Sequence, residues 1–123
     1  MKTVAVLGAS SNRDKYGNKA VRAYQRAGYE VYPVNPKEEK IEGLPVFDSL
    51  ADVPVDLDRI TVYLPPLVTR KMIPEIAAKT AKDVFFNPGS TDKETTAAAR
   101  AAGIPVVEAC SIVAIGLSPA LFS

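Results

Sequence analysis

A loop bounded by two glycines follows the first apolar run of the chain, and its residue types suit an anion. Gly8 ends the run and Gly17 opens a helical segment, and we expect both glycines to supply conformational freedom. Backbone N–H groups at the start of that helix would point at the loop. Ser10 and Ser11 add hydroxyl donors, and several basic residues add charge-assisted bonds worth roughly 1.5–3 kcal/mol each. We therefore predict a diphosphate site. Its candidate residues are Gly8, Ala9, Ser10, Ser11, Arg13, Lys15, Tyr16, Gly17 and Asn18.

The glycine spacing differs from that of a dinucleotide-binding fingerprint. G-x-G-x-x-G brings three glycines close together, whereas eight residues separate Gly8 from Gly17. A loop of that length can wrap around a phosphate group. The alternative is a plain strand-to-helix connection with solvated charges, and the motif alone does not decide between the two.

The residues after the second apolar run favour a phosphorylated ribose. NAD-binding domains normally place Asp or Glu there to accept hydrogen bonds from the ribose hydroxyls. Here the sequence reads Asn35-Pro36-Lys37, with no carboxylate until Glu38. Asn35 and Lys37 would accommodate a phosphate on the ribose, and the two ligand classes that carry one are NADP and coenzyme A. The simpler interpretation of the charged residues 38–40 is a solvated turn.

Pro65-Pro66 follows the third strong apolar run. Two prolines remove two backbone donors and present rigid apolar rings, which suits one wall of an adenine slot. The alternative is a stop signal before the next helix, and the pair taken alone favours that alternative.

The chain has no histidine and one cysteine, and these counts exclude several kinds of site. Ser-His-Asp and Cys-His catalysis, histidine-ligated zinc and phosphohistidine chemistry cannot occur within it. No intrachain disulfide or cysteine metal cluster can form, which fits a reducing cytosol. An exposed loop carboxylate such as Asp14 is usually a solubilising charge, and Tyr16 is better explained as a packing or stacking group. We expect no catalytic residue and no metal site.

The overall composition indicates one cytoplasmic globular domain spanning residues 1–123. Fifteen basic and 14 acidic residues give a net charge of +1, whereas nucleic-acid binding needs a concentrated basic surface. Apolar residues make up 47% of the chain, which argues against disorder. No stretch approaches the roughly 18 apolar residues that span a bilayer, and the N-terminal apolar run is too short for a secretion signal.

Short apolar runs that alternate with segments of helical period must position these residues. Such alternation is typical of βαβ units and a parallel sheet, and continuous apolar runs are expected where helices cover both faces. We predict a Rossmann-like α/β domain of about five parallel strands. The strand candidates are residues 3–7, 30–34, 46–47, 60–64, 84–86 and 106–107.

Three local signals indicate where helices begin. Ser49 and Asp52 have capping-box spacing. Pro74 should either kink its helix or mark the first turn. Thr91 or Asp92 can cap the Ala-rich helix that follows.

Five short motifs at the ends of the strand candidates together resemble the CoA-binding domain proteins. The motifs are Gly8-Ala9-Ser10, Lys15-Tyr16-Gly17-Asn18, Val34-Asn35-Pro36, Leu64-Pro65-Pro66 and Asn87-Pro88-Gly89. These proteins are small single-domain relatives of the N-terminal nucleotide domain of the succinyl-CoA synthetase alpha subunit. The resemblance extends from Val4 to about Cys110.

The resemblance implies a Rossmann-type fold that binds the phosphoadenosine end of coenzyme A. By position, residues 8–11 and 16–18 correspond to the diphosphate-contacting loop. Asn35 and Lys37 correspond to ribose and phosphate contacts, and Pro65-Pro66 to the adenine wall.

Two features depart from the family pattern. Asn87 stands where many relatives have Gln, and the polar tail of relatives is replaced by the apolar residues 112–122. We expect this tail to pack on the body or on another subunit. Larger ligases with this domain pass a phosphoryl group through a histidine on a further domain. Because this chain lacks both, ligase activity would require a partner enzyme.

Cys110, just past the last strand, has two interpretations. Relatives often have Cys at this position, and small buried cysteines are mostly inert packing residues, which is the interpretation we favour. The alternative is that its thiol exchanges with the thiol of coenzyme A, which requires exposure and thiolate character.

The sequence thus predicts non-catalytic binding of coenzyme A or acyl-CoA. One alternative is an NADP-binding oxidoreductase or sensor domain, which explains the missing ribose carboxylate but not the absence of a compact glycine fingerprint. Another is a protein interaction module that retains the fold and docks through the apolar tail. A homodimer through the tail is compatible with all three.

Overall fold

The computed structural model describes residues 1–123, and its centre is a five-stranded parallel sheet. The strands are β1 (Thr3–Leu7), β2 (Glu30–Val34), β3 (Lys40–Ile41), β4 (Leu44–Pro45), β5 (Leu57–Val62), β6 (Ala81–Phe86) and β7 (Val106–Glu108). The order in the main sheet is β2-β1-β5-β6-β7, while β3 and β4 form a separate antiparallel hairpin. The predicted Rossmann-like sheet of about five parallel strands is therefore confirmed.

Helices cover both faces of this sheet. They are α1 (Tyr16–Arg26), α2 (Pro66–Ala78), α3 (Lys93–Ala101) and the short α4 (Ser111–Ala114), with 3-10 turns at Leu50–Asp52 and Pro119–Phe122. Helices α2 and α3 pack on one face, and α1 packs with the C-terminal segment on the other. The longest helix has 13 residues, so none of them could cross a lipid bilayer.

Strand β1 shows why the apolar runs are continuous rather than alternating. Successive side chains of a strand point to opposite faces. Val4 and Val6 belong to the apolar cluster beneath α1, while Ala5 and Leu7 belong to the cluster beneath α2 and α3. All four are at least 97% buried, because the strand has no face in contact with water.

The segment after β2 differs from the prediction. Residues 46–47 form no strand of their own; Phe47 makes only an isolated bridge with Val34, and the β3–β4 hairpin precedes it. Ser49 does not cap a helix, because its hydroxyl bonds the Asp52 carboxylate (3.0 Å) rather than a backbone N–H. Pro54 lies just beyond, and proline disfavours helical backbone in the preceding residue, so only one 3-10 turn forms.

The starts of α2 and α3 settle the roles of Pro74 and Thr91. Helix α2 begins at Pro66, so Pro74 lies within the helix and not in its first turn. Asp92, and not Thr91, caps α3 by accepting the Thr95 N–H at 2.8 Å. An N-cap aspartate of this kind stabilises a helix by about 1 kcal/mol.

The apolar C-terminal tail packs on the body of the protein. Ile112 and Phe122 are buried in the apolar cluster that includes α1. The Phe122 carbonyl accepts a hydrogen bond from the Arg22 guanidinium (2.7 Å), which fixes the last turn against α1.

The strand order places the topological switch point between β1 and β5. The chain leaves β1 toward β2 on one side and later enters β5 on the other side. In open α/β sheets, ligands bind outside the carboxyl ends of the strands at this point. The glycine loop begins at the end of β1, and Tyr63, Leu64 and Pro65-Pro66 follow β5.

Candidate functional site

Two adjoining cavities lie over the carboxyl ends of the strands. The larger, of about 530 Å³, lies at the N-terminus of α1. The smaller, of about 480 Å³, lies beside the end of β2 and the start of α2. Gly8, Asn35 and Leu64 line both. We name them the α1 cavity and the α2 cavity.

Most of the predicted site residues line these cavities. The α1 cavity is lined by Gly8, Ala9, Ser10, Lys15, Tyr16, Gly17, Asn35, Pro65 and Pro66. The α2 cavity adds Pro36 and Lys37. Ser11, Arg13 and Asn18 line neither.

The two glycines are required by backbone packing. Gly8 has φ +91°, and a Cβ there would stand 2.5 Å from the Tyr63 carbonyl oxygen. A Cβ on Gly17 would stand 2.2 Å from the Gly8 carbonyl oxygen, although Gly17 itself has no positive φ. The expectation that both glycines supply conformational freedom is therefore wrong for Gly17. Its lack of a side chain lets α1 begin directly against the end of β1.

This close approach leaves backbone donors facing the α1 cavity. The N–H groups of Tyr16 and Gly17 have no hydrogen-bond acceptor within the chain, nor does that of Ser10. No acidic residue lies in the first turn of α1 or lines the cavity. Lys15 is the one charged residue among those that line it. Free amides at a helix N-terminus beside a cation form an electropositive site for an anion.

The loop is held in shape by its own side chains. The Ser10 hydroxyl accepts the Asn12 N–H (3.0 Å), and the Asn12 carboxamide accepts the Asp14 N–H (3.0 Å). Such local bonds fix the turn that leads into α1. The Ser10 hydroxyl proton stays free to donate toward the cavity, because this bond uses only the oxygen.

Asn18 and Arg13 support the loop from outside the cavity. Asn18 is fully buried, and its amide donates to the Ser10 carbonyl (2.9 Å) and to Glu42 (3.1 Å). Arg13 is exposed and pairs with the same Glu42 carboxylate at 3.5 Å. Their side chains thus brace the loop against the β3–β4 hairpin.

Glu38 is not a solvated turn residue. The Asn35 carboxamide oxygen accepts the Lys37 N–H (2.8 Å), and this turn folds the chain back toward the glycine loop. The half-buried Glu38 consequently accepts the Ser11 N–H (2.9 Å). A carboxylate therefore does reach the end of β2, which corrects the inference drawn from its absence at position 35.

The α2 cavity has the apolar wall that an aromatic base requires. Leu64, Val68 and Met72 form this wall, and Lys37 lies at the polar rim with Asp48, Ser49 and Glu75. Pro65 and Pro66 face the α1 cavity instead. The sequence predicts the prolines as the adenine wall, whereas the apolar wall beside Asn35 and Lys37 is formed by Leu64 and by two residues of α2.

Tyr63 and Ser90 line the α1 cavity without belonging to any motif of the sequence, whereas Leu64, Pro88 and Gly89 belong to motifs that carry the family resemblance. Tyr63 and Leu64 lie beyond β5, which ends two residues earlier than predicted because Pro65 offers no N–H for the sheet ladder. Pro88, Gly89 and Ser90 follow β6. Their position just after a strand was the available signal, although their side chains carry no charge that suggests a ligand.

A third cavity, of about 260 Å³, adjoins the α1 cavity and contains Cys110. The two share Tyr16, Tyr63 and Pro88. Cys110 is half-buried, so burial alone does not make its thiol inert. The alternative of exchange with CoA disulfide, in which the Cys110 thiolate forms a mixed disulfide and releases one CoA thiol, stays a prediction that mass spectrometry would test.

A buried polar network underlies this third cavity. The Asn87 amide donates to Thr61 (2.7 Å) and accepts the Ser111 N–H (2.8 Å). The Ser111 hydroxyl also bonds Thr61 (2.6 Å) and Tyr63 (3.2 Å). Burial raises the pKa of Tyr63 to about 12, so its hydroxyl stays neutral. The Asn87 side chain therefore joins the end of β6 to β5 and α4.

Known proteins match the chain over most of its length. The family described as "CoA binding domain" matches residues 2–116. The ADP-forming acetate–CoA ligase of Methanocaldococcus jannaschii is 32% identical over 81 residues, which are 66% of this chain but 12% of that ligase. The chain thus spans about an eighth of the length of this curated relative.

Solved structures of small proteins match more completely. A conserved hypothetical protein from Pyrococcus furiosus has a TM-score of 0.84 and 32% identity, over 93% of this chain and 99% of that chain. A hypothetical protein from Pyrococcus horikoshii has a TM-score of 0.83 and 29% identity, over 91% and 80% of the two chains. The fold therefore occurs both as a small protein and as part of larger ligases.

Proposed function

This chain belongs to the CoA-binding domain family, and we propose that it binds coenzyme A or an acyl-CoA through the phosphoadenosine diphosphate end of the ligand. The observation that carries the proposal is the α1 cavity. Its unpaired Tyr16 and Gly17 amides, its one cation Lys15 and its lack of acidic residues suit a diphosphate.

The adenosine end belongs in the α2 cavity. Leu64, Val68 and Met72 offer an apolar surface to the adenine ring. The exposed Lys37 lies at the rim, where its ammonium can pair with the phosphate on the ribose. Because Gly8 and Asn35 line both cavities, one ligand can occupy the two together.

The rest of the ligand would leave the α1 cavity toward Cys110. Tyr16, Tyr63 and Pro88 are common to the α1 cavity and the third cavity, which makes a continuous path along this edge of the sheet. The path ends among apolar and neutral groups. These surroundings suit the uncharged pantetheine arm of coenzyme A.

A binding role without catalysis agrees with the chemistry of the cavities. Burial raises the pKa of Tyr63, which lines the α1 cavity and the third cavity, to about 12, and this value is too high for efficient proton transfer near neutral pH. Lys15 is exposed and is placed to bind an anion. A ligase reaction such as those of the matched enzymes would have to involve a partner enzyme.

Calorimetric titration with CoA, NADP, NAD and ATP tests the proposal. We expect CoA to bind most tightly, because it alone combines the diphosphate, the phosphorylated ribose and the pantetheine arm. Tight binding of NADP with no heat from CoA would overturn the assignment. NADPH oxidation with carbonyl substrates would then identify an oxidoreductase.

A further inference from the structure

The Glu38 carboxylate accepts hydrogen bonds beside the two main cavities, next to lining residues Ser10, Asn35 and Lys37 but without lining either cavity itself. Its Oε2 atom accepts the Ser11 N–H at 2.9 Å and lies 3.4 Å from the Asn35 amide nitrogen. Asn35 lines both cavities, and Ser11 follows Ser10, which lines the α1 cavity. A negative group of the chain itself is thus held where the site offers donors to an anion.

A turn of the backbone sets the position of Glu38. The turn closed by the Asn35 side chain on the Lys37 N–H directs residue 38 toward the loop. A second glutamate, Glu42 on the hairpin turn, contacts Asn18 (3.1 Å) and Arg13 (3.5 Å). Two carboxylates from residues 38–42 therefore hold the glycine loop at two points.

The two contacts differ in what a ligand would do to them. Asn18 is fully buried, so the second contact can persist when a ligand binds. Ser11 is exposed, and its N–H has no acceptor besides Glu38. A phosphate oxygen could therefore replace the carboxylate at this donor with little rearrangement.

We propose that Glu38 is an internal competitor for the anionic ligand, a refinement that rests on the proposed CoA site. In the free protein its carboxylate accepts the Ser11 N–H, while the Asn35 amide donates to the Ala9 carbonyl (2.8 Å) and makes only a longer contact with Glu38. A diphosphate or ribose phosphate that approaches these donors must displace it, because two anions cannot share them without strong repulsion. The displacement lowers the affinity for every ligand with phosphate at this position.

Glu39 provides a matched control for charge. It follows Glu38 directly, is exposed, and its carboxylate makes no hydrogen bond or ion pair. Glu38→Gln and Glu39→Gln each remove one negative charge from the same segment. A difference between the two variants therefore measures the contact and not the net charge.

The test is calorimetric titration of the wild-type protein and both variants with CoA at one ionic strength. We expect Glu38→Gln to bind CoA about three- to tenfold more tightly than wild type, since a neutral amide competes less well for the donors. Glu39→Gln should stay within about twofold of wild type. Equal affinities of the two variants, or weaker binding by Glu38→Gln, would overturn the competitor role while leaving the CoA site intact.

Hydrogen exchange checks the contact without any ligand. In the free protein the Ser11 amide should exchange faster in Glu38→Ala than in Glu39→Ala, because only the first loses its acceptor. Added CoA should slow that exchange in both variants. An unchanged Ser11 exchange rate in Glu38→Ala contradicts the contact. Failure of all proteins to bind CoA overturns the proposed function together with the inference.

Discussion

Position 17 requires glycine because it lies directly against the backbone of Gly8. A Cβ at position 17 would stand 2.2 Å from a carbonyl oxygen, and a backbone atom cannot rotate away. We predict that Gly17→Ala lowers the free energy of unfolding by about 1–3 kcal/mol, as overpacking generally does. It should also abolish detectable CoA binding, since the α1 amides must move away from the loop. Thermal melts and calorimetry measure the two effects.

Gly28 provides the control for that variant. It lies at the other end of α1 with φ +84°, and a Cβ there would meet nothing within 4 Å. Gly28→Ala should cost about 1–2 kcal/mol through backbone strain alone. Its CoA affinity should equal that of wild type. Loss of binding in both variants would mean that lower stability, and not the loop, explains the effect of Gly17→Ala.

Lys37 is the residue expected to recognise the ribose phosphate. We predict that Lys37→Ala weakens CoA about tenfold and dephospho-CoA much less, because only CoA offers the phosphate for a charge-assisted bond. Lys40, in β3 and outside both cavities, is the matched control. Equal losses for the two ligands in calorimetric titration would refute this role.

At the scale of elements, the first turns of α2 form one wall of the site. Val68 lines the α2 cavity, while the adjacent Leu67 is 67% exposed and lines no cavity described above. We predict that Val68→Gln weakens CoA about fivefold by removing apolar contact with the base. Leu67→Gln should leave the affinity unchanged. Similar effects of both substitutions on the measured Kd would contradict the placement of adenine.

Asp58 joins the three middle strands β1, β5 and β6 near their amino ends, opposite the cavities. Its carboxylate accepts the Thr3 N–H (2.8 Å) and pairs with Lys82 (2.9 Å). These donors lower its pKa from 3.8 to about 2, so the ionised form stabilises the fold. The contribution is complete above about pH 4 and is lost as the pH falls toward about 2.

We therefore expect Asp58→Asn to lower the melting temperature at neutral pH. The difference from wild type should shrink as the pH falls from about 4 to about 2, because the wild-type carboxylate then becomes neutral as well. Asp56→Asn is the control, since the Asp56 side chain makes no hydrogen bond or ion pair. A difference independent of pH would exclude ionisation as its cause.

The elements that the sequence predicts well are those with strong local patterns. Strands β1 and β2 have the predicted bounds because each is an apolar run ended by glycine or by Asn-Pro. The β3–β4 hairpin has two-residue strands, which are too short for any periodicity. The capping-box spacing at Ser49 failed because a proline downstream prevents helix continuation.

The sequence predicts the part of the site that lies directly after the ends of the strands. Most loop residues line the cavities as expected, since ligands bind where parallel strands end. The contact of Glu38 with Ser11 spans 27 residues of sequence, and no local pattern encodes it. The role of Gly17 was likewise misassigned, because crowding by Gly8 depends on how α1 packs against β1.

At the scale of the whole molecule, the C-terminal tail completes the core. Phe122 is 93% buried against α1, whereas Leu121 beside it is 58% exposed. We predict that Phe122→Ala lowers the free energy of unfolding by about 3 kcal/mol. Leu121→Ala should change it by less than about 0.5 kcal/mol. Denaturant unfolding measures both.

The variants Phe122→Ala and Leu121→Ala also test whether the C-terminal tail is a docking surface. If it were, light scattering would show a changed oligomeric state in Leu121→Ala, whose side chain points outward. We expect no change for that variant. Both variants should keep wild-type affinity for CoA while folded, because neither residue lines the α1 or α2 cavity.

The α1 cavity takes its walls from four places in the chain, within residues 8–17, 63–66 and 88–90 and at Asn35. A ligand bound in this cavity would link the ends of β1, β5 and β6, the three middle strands of the sheet. Because the unfolded chain does not have this cavity, the melting temperature of the protein should rise with the concentration of the ligand. In a cell that lacks the ligand, the free protein would unfold more often and proteases would degrade it faster. Its abundance would therefore follow the concentration of the ligand.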